Sequence, residues 1–234
     1  MKIAKGIQYE ITLQFRYGFY YAYLFIIVLM IILLGYVPNT IKPMLLTTII
    51  FSDPAIFGFF FVGAILLLER DQNILESLFV TPLKISQYFI LKVISLSFLV
   101  MAASLGIAVF ALGLSFNVFW LFLGVLMCAA FFILLGLGVT GRVKSFNAFL
   151  VKSVAYMFVL SLPLFDYLNL FHSPIFYLFP TKAALILINA AFVKTSLLLN
   201  IYATVNLAFW ITLIYFWAHH QFEKYIISRM GGAK

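Results

Sequence analysis

The chain has 234 residues, 65% of them hydrophobic and only 9% charged, whereas a soluble domain carries about 25% charge. So much apolar surface excludes a water-soluble fold, and the continuous apolar runs exclude a β-barrel, whose strands would alternate apolar and polar residues. The net charge of +8 does not indicate a nucleic-acid partner, because the basic residues are dispersed and form no patch with interleaved aromatics. The expectation is an all-α membrane protein whose solvent is the lipid bilayer.

Residues 1–16 are too polar to span. Ile3, Ile7, Ile11 and Phe15 recur every fourth position, and Lys2, Lys5, Glu10 and Arg16 interrupt the apolar character elsewhere. That period predicts an amphipathic helix lying in the membrane interface. Residues 17–41 carry no charge and predict a first span near 19–37. No small-residue cleavage site follows, so it reads as a retained span and not a signal peptide.

Pro38 and Pro43 bracket a turn, and a second span is expected near 45–68. Within it, Ser52-Asp53-Pro54 reads as a cap followed by proline at a first helical position. A carboxylate in lipid is a functional candidate by default, so Asp53 is also a candidate for the substrate pathway.

Residues 93–141 contain no charge. At 1.5 Å per residue they are about twice as long as the ~30 Å hydrocarbon core is thick. They therefore predict two spans, near 86–112 and 118–139, with a turn at Gly113-Leu114-Ser115-Phe116-Asn117. Ala102 and Gly106 form a small-xxx-small pair suited to close helix packing. Cys128, the single cysteine, reads as a small core residue.

A fifth span is expected near 149–167 and a sixth near 196–218. Pro163 should kink the fifth, which makes it a second pathway candidate. Asp166, at the end of that span, reads as solvated. Between the two spans, Pro174 and Pro180 break the run, and the largely apolar piece between Lys182 and Lys194 has only 11 residues. Residues 169–194 therefore predict short re-entrant helices on the outer side. His219 and His220 are adjacent, project about 100° apart on a helix and make a poor chelating pair. No metal site is expected.

Orientation follows from the basic residues. With six spans and both termini inside, Lys2, Lys5, Arg16, Arg70, Lys84, Lys92, Arg142, Lys144, Lys152, Lys224, Arg229 and Lys234 fall on the cytoplasmic side. Lys42, Lys182 and Lys194 fall outside. This asymmetry supports an N-in, C-in arrangement. Lys92 and Lys152, a turn inside their helices, are expected to snorkel to the interface.

The most informative stretch is the polar island Glu69–Lys84. Four of the seven acidic residues, Asp53, Glu69, Asp71 and Glu76, lie in or just before it. Asn73 and Glu76 have capping-box spacing and predict a short helix Ile74–Val80, inside a loop element spanning 71–81. Ile74, Leu75, Leu78 and Phe79 would form its apolar face. Thr81-Pro82 repeats the cap-then-proline logic and predicts the next helix start. Pattern alone leaves two readings open: a docking element for a partner, or a loop covering its own bundle.

Leu67-Leu68-Glu69-Arg70-Asp71, followed by Leu75-Glu76-Ser77-Leu78-Phe79-Val80-Thr81-Pro82-Leu83, resembles the first cytoplasmic loop of ABC-2 type exporter permeases. That family often reads Glu-Arg-Glu-x-Gly-Thr-Leu-Glu before a Leu-rich stretch and Thr-Pro-Leu; Asp71-Gln72-Asn73 departs from it. Gln14-Phe15-Arg16-Tyr17-Gly18-Phe19-Tyr20 and Phe51-Ser52-Asp53-Pro54 are similar to the fluoroquinolone- and drug-export branch.

The resemblance implies a bacterial cell-membrane permease subunit moving a hydrophobic or amphipathic drug, lipid or peptide outward. It implies a homodimer of permeases with two copies of an ATP-binding subunit. Docking would fall on Asn73, Glu76, Ser77, Leu78, Thr81 and Pro82. ATP and Mg would be bound by the partner, because Gly136-Leu137-Gly138-Val139-Thr140-Gly141-Arg142-Val143-Lys144-Ser145 lacks Walker A spacing. The chain itself is expected to hold no cofactor and to be no enzyme. The alternative, an ion-coupled secondary transporter, would need ionisable groups near the midplane, and none is clearly placed there. A membrane-embedded enzyme finds no supporting cluster of catalytic residues.

Overall fold

The computed structural model describes residues 3–80, 83–143 and 145–227. The described chain is a bundle of helices: α1 (Ile3–Arg16), α2 (Phe19–Gly35), α3 (Lys42–Asp53), α4 (Phe59–Asp71), α5 (Ile74–Val80), α6 (Ile85–Leu112), α7 (Val118–Gly141), α8 (Phe146–Tyr167), α9 (Pro180–Asn189) and α10 (Leu197–Phe222). Five helical stretches are long and apolar enough to cross a membrane: Lys42–Asp71, Ile85–Leu112, Val118–Gly141, Phe146–Tyr167 and Leu197–Tyr225. The pair Lys5–Arg16 and Phe19–Gly35, bent by 70°, makes the sixth candidate.

The bend falls at Gly18, whose φ of 77° is left-handed. Such a backbone has little cost for glycine and strains other residues. Helix α1 packs on α6, but not through its isoleucine period. Ile7 and Ile11 are half-buried and Phe15 is exposed, while Gly6, Glu10, Leu13 and Gln14 are buried. The face turned to the protein is therefore largely polar, and the apolar stripe is left for the lipid.

Helix α7 is the centre of the bundle and packs against α4, α6, α9 and α10. Glycines set how close the helices come. A Cβ on Gly136 would lie 2.8 Å from the Phe59 carbonyl oxygen, one on Gly138 would lie 2.1 Å from the Trp217 ring, and one on Gly124 would lie 3.0 Å from the Ile188 amide nitrogen. Without a strong hydrophobic drive between helices in lipid, such backbone proximity supplies much of the packing energy. The Ala102/Gly106 pair does not take part within this chain. Both residues are exposed, and nothing lies within 4 Å of a Cβ built on Gly106.

Lys42–Asp71 is one continuous helical stretch and not a helix starting at Pro54. A π-helical turn, Pro54–Gly58, joins α3 to α4. Pro54 has no N–H to give to the preceding turn, and a locally widened turn accommodates it. Asp53 is itself helical (φ −55°, ψ −64°) and its side chain caps nothing. The expected capping role is therefore replaced by another partner, described below.

The uncharged 93–141 stretch turns at Gly113, again left-handed at φ 64°. Asn117 Oδ1 then accepts the Trp120 N–H to open α7. Between α8 and α10, a 3-10 turn (Pro174–Leu178) precedes α9. Helix α9 has 10 residues, too few to span. It is nonetheless among the most buried parts of the molecule, with Ala183, Leu185, Leu187 and Ile188 all inaccessible. Asn189 Oδ1 accepts from Tyr167 Oη at 2.9 Å and from Thr47 Oγ1 at 3.4 Å, tying α9 to α8 and α3. Asp166 is not simply solvated, because it pairs with Lys182 and with His172 Nδ1.

Gly136→Ala should push α4 away from α7 and cost about 1–3 kcal/mol, the range for overpacking. Gly106→Ala should stay within about 0.5 kcal/mol, as expected of an exposed site. Thermal unfolding of the two purified variants in one detergent checks the contrast.

Candidate functional site

The Glu69–Lys84 loop is built on the end of the bundle that carries α1. Helix α4 ends at Asp71, with Gln72 N–H returning to the Leu68 carbonyl and Asn73 N–H to that of Arg70. Asn73 has φ 56°. Asparagine tolerates this left-handed conformation better than most residues, and here it ends α4 as much as it begins α5. Thr81, Pro82 and the side chain of Glu76 lie outside the described residues, so the expected Glu76 capping contact and the Thr81-Pro82 helix start fall there too. Helix α6 begins at Ile85, and Gln87 Oε1 accepts the Lys84 N–H at 3.1 Å.

Helix α5 has two unlike sides. Leu75 is fully buried, and Leu78 packs with it against the ends of α4, α6 and α10, in a cluster that includes Leu66, Tyr88, Phe89 and Phe222. The opposite side presents Ser77, while Asp71, Gln72 and Asn73 before the helix are also exposed. The two readings of the loop therefore divide by residue. Leu75 and Leu78 cover the chain's own bundle, and Asn73 and Ser77 face outward. Leu78 anchors α5 from below.

Directly behind this loop lies a buried charge cluster that the sequence did not announce. Glu69, the last-turn carboxylate of α4, forms an ion pair with Lys92 of α6. Lys92 Nζ also donates to Glu10 Oε2 of α1 at 2.7 Å. Tyr88 Oη donates to the other Glu69 oxygen at 2.6 Å. Lys92 and Glu69 are inaccessible and Glu10 is 3% exposed. One turn further along α6, Gln14 Nε2 donates to Ser95 Oγ at 3.0 Å.

Lys92 therefore does not snorkel. Two carboxylates hold its ammonium inside, whereas Lys152 is exposed. The missed signal was the spacing of Tyr88 and Lys92, four apart and thus on one face of α6, together with Glu10 on a helix otherwise read only for its apolar stripe.

Further bonds brace the loop. Arg70 Nη1 donates to the Val143 carbonyl at 2.7 Å, joining α4 to the α7–α8 connection. Tyr17 Oη donates to Gln72 Oε1 at 2.9 Å, joining the α1–α2 bend to the residues just before α5. These bonds join the residues just before α5 to the α1–α2 bend and α4 to the α7–α8 connection.

The two pathway candidates lie apart. Pro163 is on the buried side of α8. Asp53 is buried beside α2, where Tyr23 Oη donates to its Oδ2 at 3.0 Å.

Removing Lys92 would leave two carboxylates facing each other without a counter-charge, and breaking a buried pair from one side costs about 3–5 kcal/mol. Lys92→Met should lower the unfolding temperature and speed tryptic cleavage after the exposed Arg16. Adding Glu10→Gln and Glu69→Gln to it should recover much of the loss. Melting curves and proteolysis of the single and triple variants measure both effects.

The chain matches the fluoroquinolones export permease protein family over residues 1–230. It is 27% identical over 197 residues to the fluoroquinolones export permease proteins of two Mycobacterium tuberculosis strains, CDC 1551 / Oshkosh and ATCC 25618 / H37Rv. Each match covers 84% of this chain and 83% of the relative. The family match takes in the α1–α2 bend, the Glu69–Lys84 loop and α9 together, and this helical membrane protein belongs to the fluoroquinolones export permease protein family.

Proposed function

We propose that the chain is the membrane subunit of an ATP-binding-cassette exporter in the cell membrane, and that its α5 receives a separate ATP-hydrolysing subunit. The single observation that carries this reading is the construction of α5. It is a short helix anchored by Leu75 and backed by the Glu10–Lys92–Glu69 cluster, with Ser77 exposed on its outer side and Asn73 exposed just before it. A loop that merely covered its own bundle would not need bracing from α1, α4 and α6 at once.

The concentration of Lys and Arg at this end of the bundle fits a cytoplasmic position, where a soluble motor can reach it. ATP and Mg would be held by the motor chain. Two motor chains and two permeases would form the working unit, with each α5 transmitting closure of the motors to α4 and α6. Differential binding of the motor to two arrangements of the bundle is what would do work on the substrate. The relatives' names indicate fluoroquinolone export. The apolar bundle suits a hydrophobic or amphipathic molecule of this kind.

The second reading, ion-coupled secondary transport, is favoured by one observation: Asp53 is a buried carboxylate inside a span. Intramembrane carboxylates often carry coupling ions. Depleting ATP while holding the membrane potential and pH gradient separates the two. Efflux from cells should stop under the first reading and persist under the second.

Docking is tested by Ser77→Arg, an exposed substitution on α5. It should reduce co-purification of an ATP-binding chain by on the order of tenfold, equal to about 1.4 kcal/mol of interface energy, with membrane insertion unchanged. Leu78→Asp should instead lower the stability of the permease itself. Pull-down yield and melting temperature, measured on both variants, tell these outcomes apart. Full motor recovery with Ser77→Arg would remove α5 as the dock.

A further inference from the structure

Asp53 stands alone in charge among the helices around it. Segments 17–41, 54–68 and 93–141 contain no Asp, Glu, Lys, Arg or His. At 1.5 Å per residue it is about 16 Å along its helix from Lys42 and about 24 Å from Glu69. It therefore lies within the ~30 Å hydrocarbon depth, and it is 6% exposed. Tyr23 donates to one carboxylate oxygen. Among the described residues the other oxygen accepts no hydrogen bond, and no basic side chain pairs with Asp53.

This contrasts with the other buried carboxylates. Glu69 and Glu10 share Lys92, and even half-buried Asp166 has Lys182. Among the described residues, Asp53 is the buried acid with no cation beside it. A structural acceptor for the Tyr23 hydroxyl would not need to be charged, since an amide or hydroxyl would serve without the cost of placing an ion in lipid.

The surroundings show what could complete the site. The Tyr23 ring lies 4.3 Å from that of Phe57 and 6.4 Å from that of Phe61, and the last two are 5.0 Å apart. Ring faces carry negative potential and attract organic cations. A carboxylate bonded to the first of these three mutually packed rings suits an ammonium group and repels an anion. The carboxylate also sits at the entry to the π-turn Pro54–Gly58, an irregularity often found at functional positions. Helix α2 packs chiefly along α6 and α1 and meets the π-turn through Tyr23.

We propose that Asp53, flanked by Tyr23, Phe57 and Phe61, binds the ammonium group of amphipathic organic cations that this permease carries. The proposal rests on the exporter reading above and adds the charge class of the cargo. Asp53 supplies the counter-ion, and the rings exclude water and stabilise the cation by their faces.

The test uses the full-length permease in lipid nanodiscs without any motor subunit, so that a failure of motor docking cannot affect the result. Binding is read by fluorescence for a quaternary-ammonium amphiphilic dye and for its uncharged isostere. Asp53→Asn keeps the shape and can still accept from Tyr23. It should weaken the cationic dye by on the order of tenfold or more and leave the neutral dye unchanged. Asp53→Glu should restore part of the difference. Equal weakening of both dyes, or of neither, overturns the proposal. Should Asp53→Asn fail to fold, the wild-type protein answers the same question. The cationic dye should slow carbodiimide labelling of Asp53, read by mass spectrometry, and the neutral dye should not. Labelling that is indifferent to the cationic dye overturns the proposal.

Discussion

The ammonium of Lys92, held between Glu10 and Glu69, is the contact on which the arrangement at the α1 end depends. It joins three helices from distant parts of the sequence. Burying ions is costly, and their attraction repays that cost only when geometry and extra hydrogen bonds are both good. Here Tyr88 supplies an additional hydrogen bond to Glu69. With the cluster in place α1 has one way to sit: Glu10 and Gln14 face α6, and Ile7, Ile11 and Phe15 are turned towards lipid or half-covered. Without it α1 would be an amphipathic helix with no reason to prefer one site.

The same cluster lies directly behind α5. Glu69 sits at the end of α4, just ahead of the loop, and Lys92 sits two turns into α6, just after it. Fixing these two residues to each other fixes the ends of the connection between them. Leu75 then needs only one buried contact to orient the helix. At the other end of the bundle, α9 plays the corresponding part, wedged between α3, α7, α8 and α10 with Asn189 bonded to two of them. Between these ends, packing relies on glycines of α7 that bring α4, α9 and α10 to backbone contact.

Much of this was legible before any coordinates. The apolar runs located the spans, because a helix long enough to cross lipid leaves a charge-free stretch of matching length. The helical spacing of Ile74, Leu75 and Leu78 announced α5, because helical period is a local rule. Lys92 was misread, because from sequence a lysine near a helix end is expected to reach for water and its two carboxylates are remote in the chain. The Ser52-Asp53-Pro54 cap was misread for a related reason. The local rule is satisfied equally by a helix start and by a proline-induced π-turn, and only packing against α2 distinguishes them. Ala102 and Gly106 matched a packing motif but face outward, since the contact partners of a small residue are not encoded beside it.

By itself, then, the sequence determined the solvent, the number and rough limits of the helices, and the motif of a drug-export permease loop. These depend on hydropathy, period and neighbouring residues. Only the tertiary structure decided which charges are buried together, which side of α5 is free, and that Asp53 lies unpaired beside an aromatic cluster. Those facts depend on residues tens of positions apart reaching the same few ångströms, in a medium where a charge has no water to fall back on.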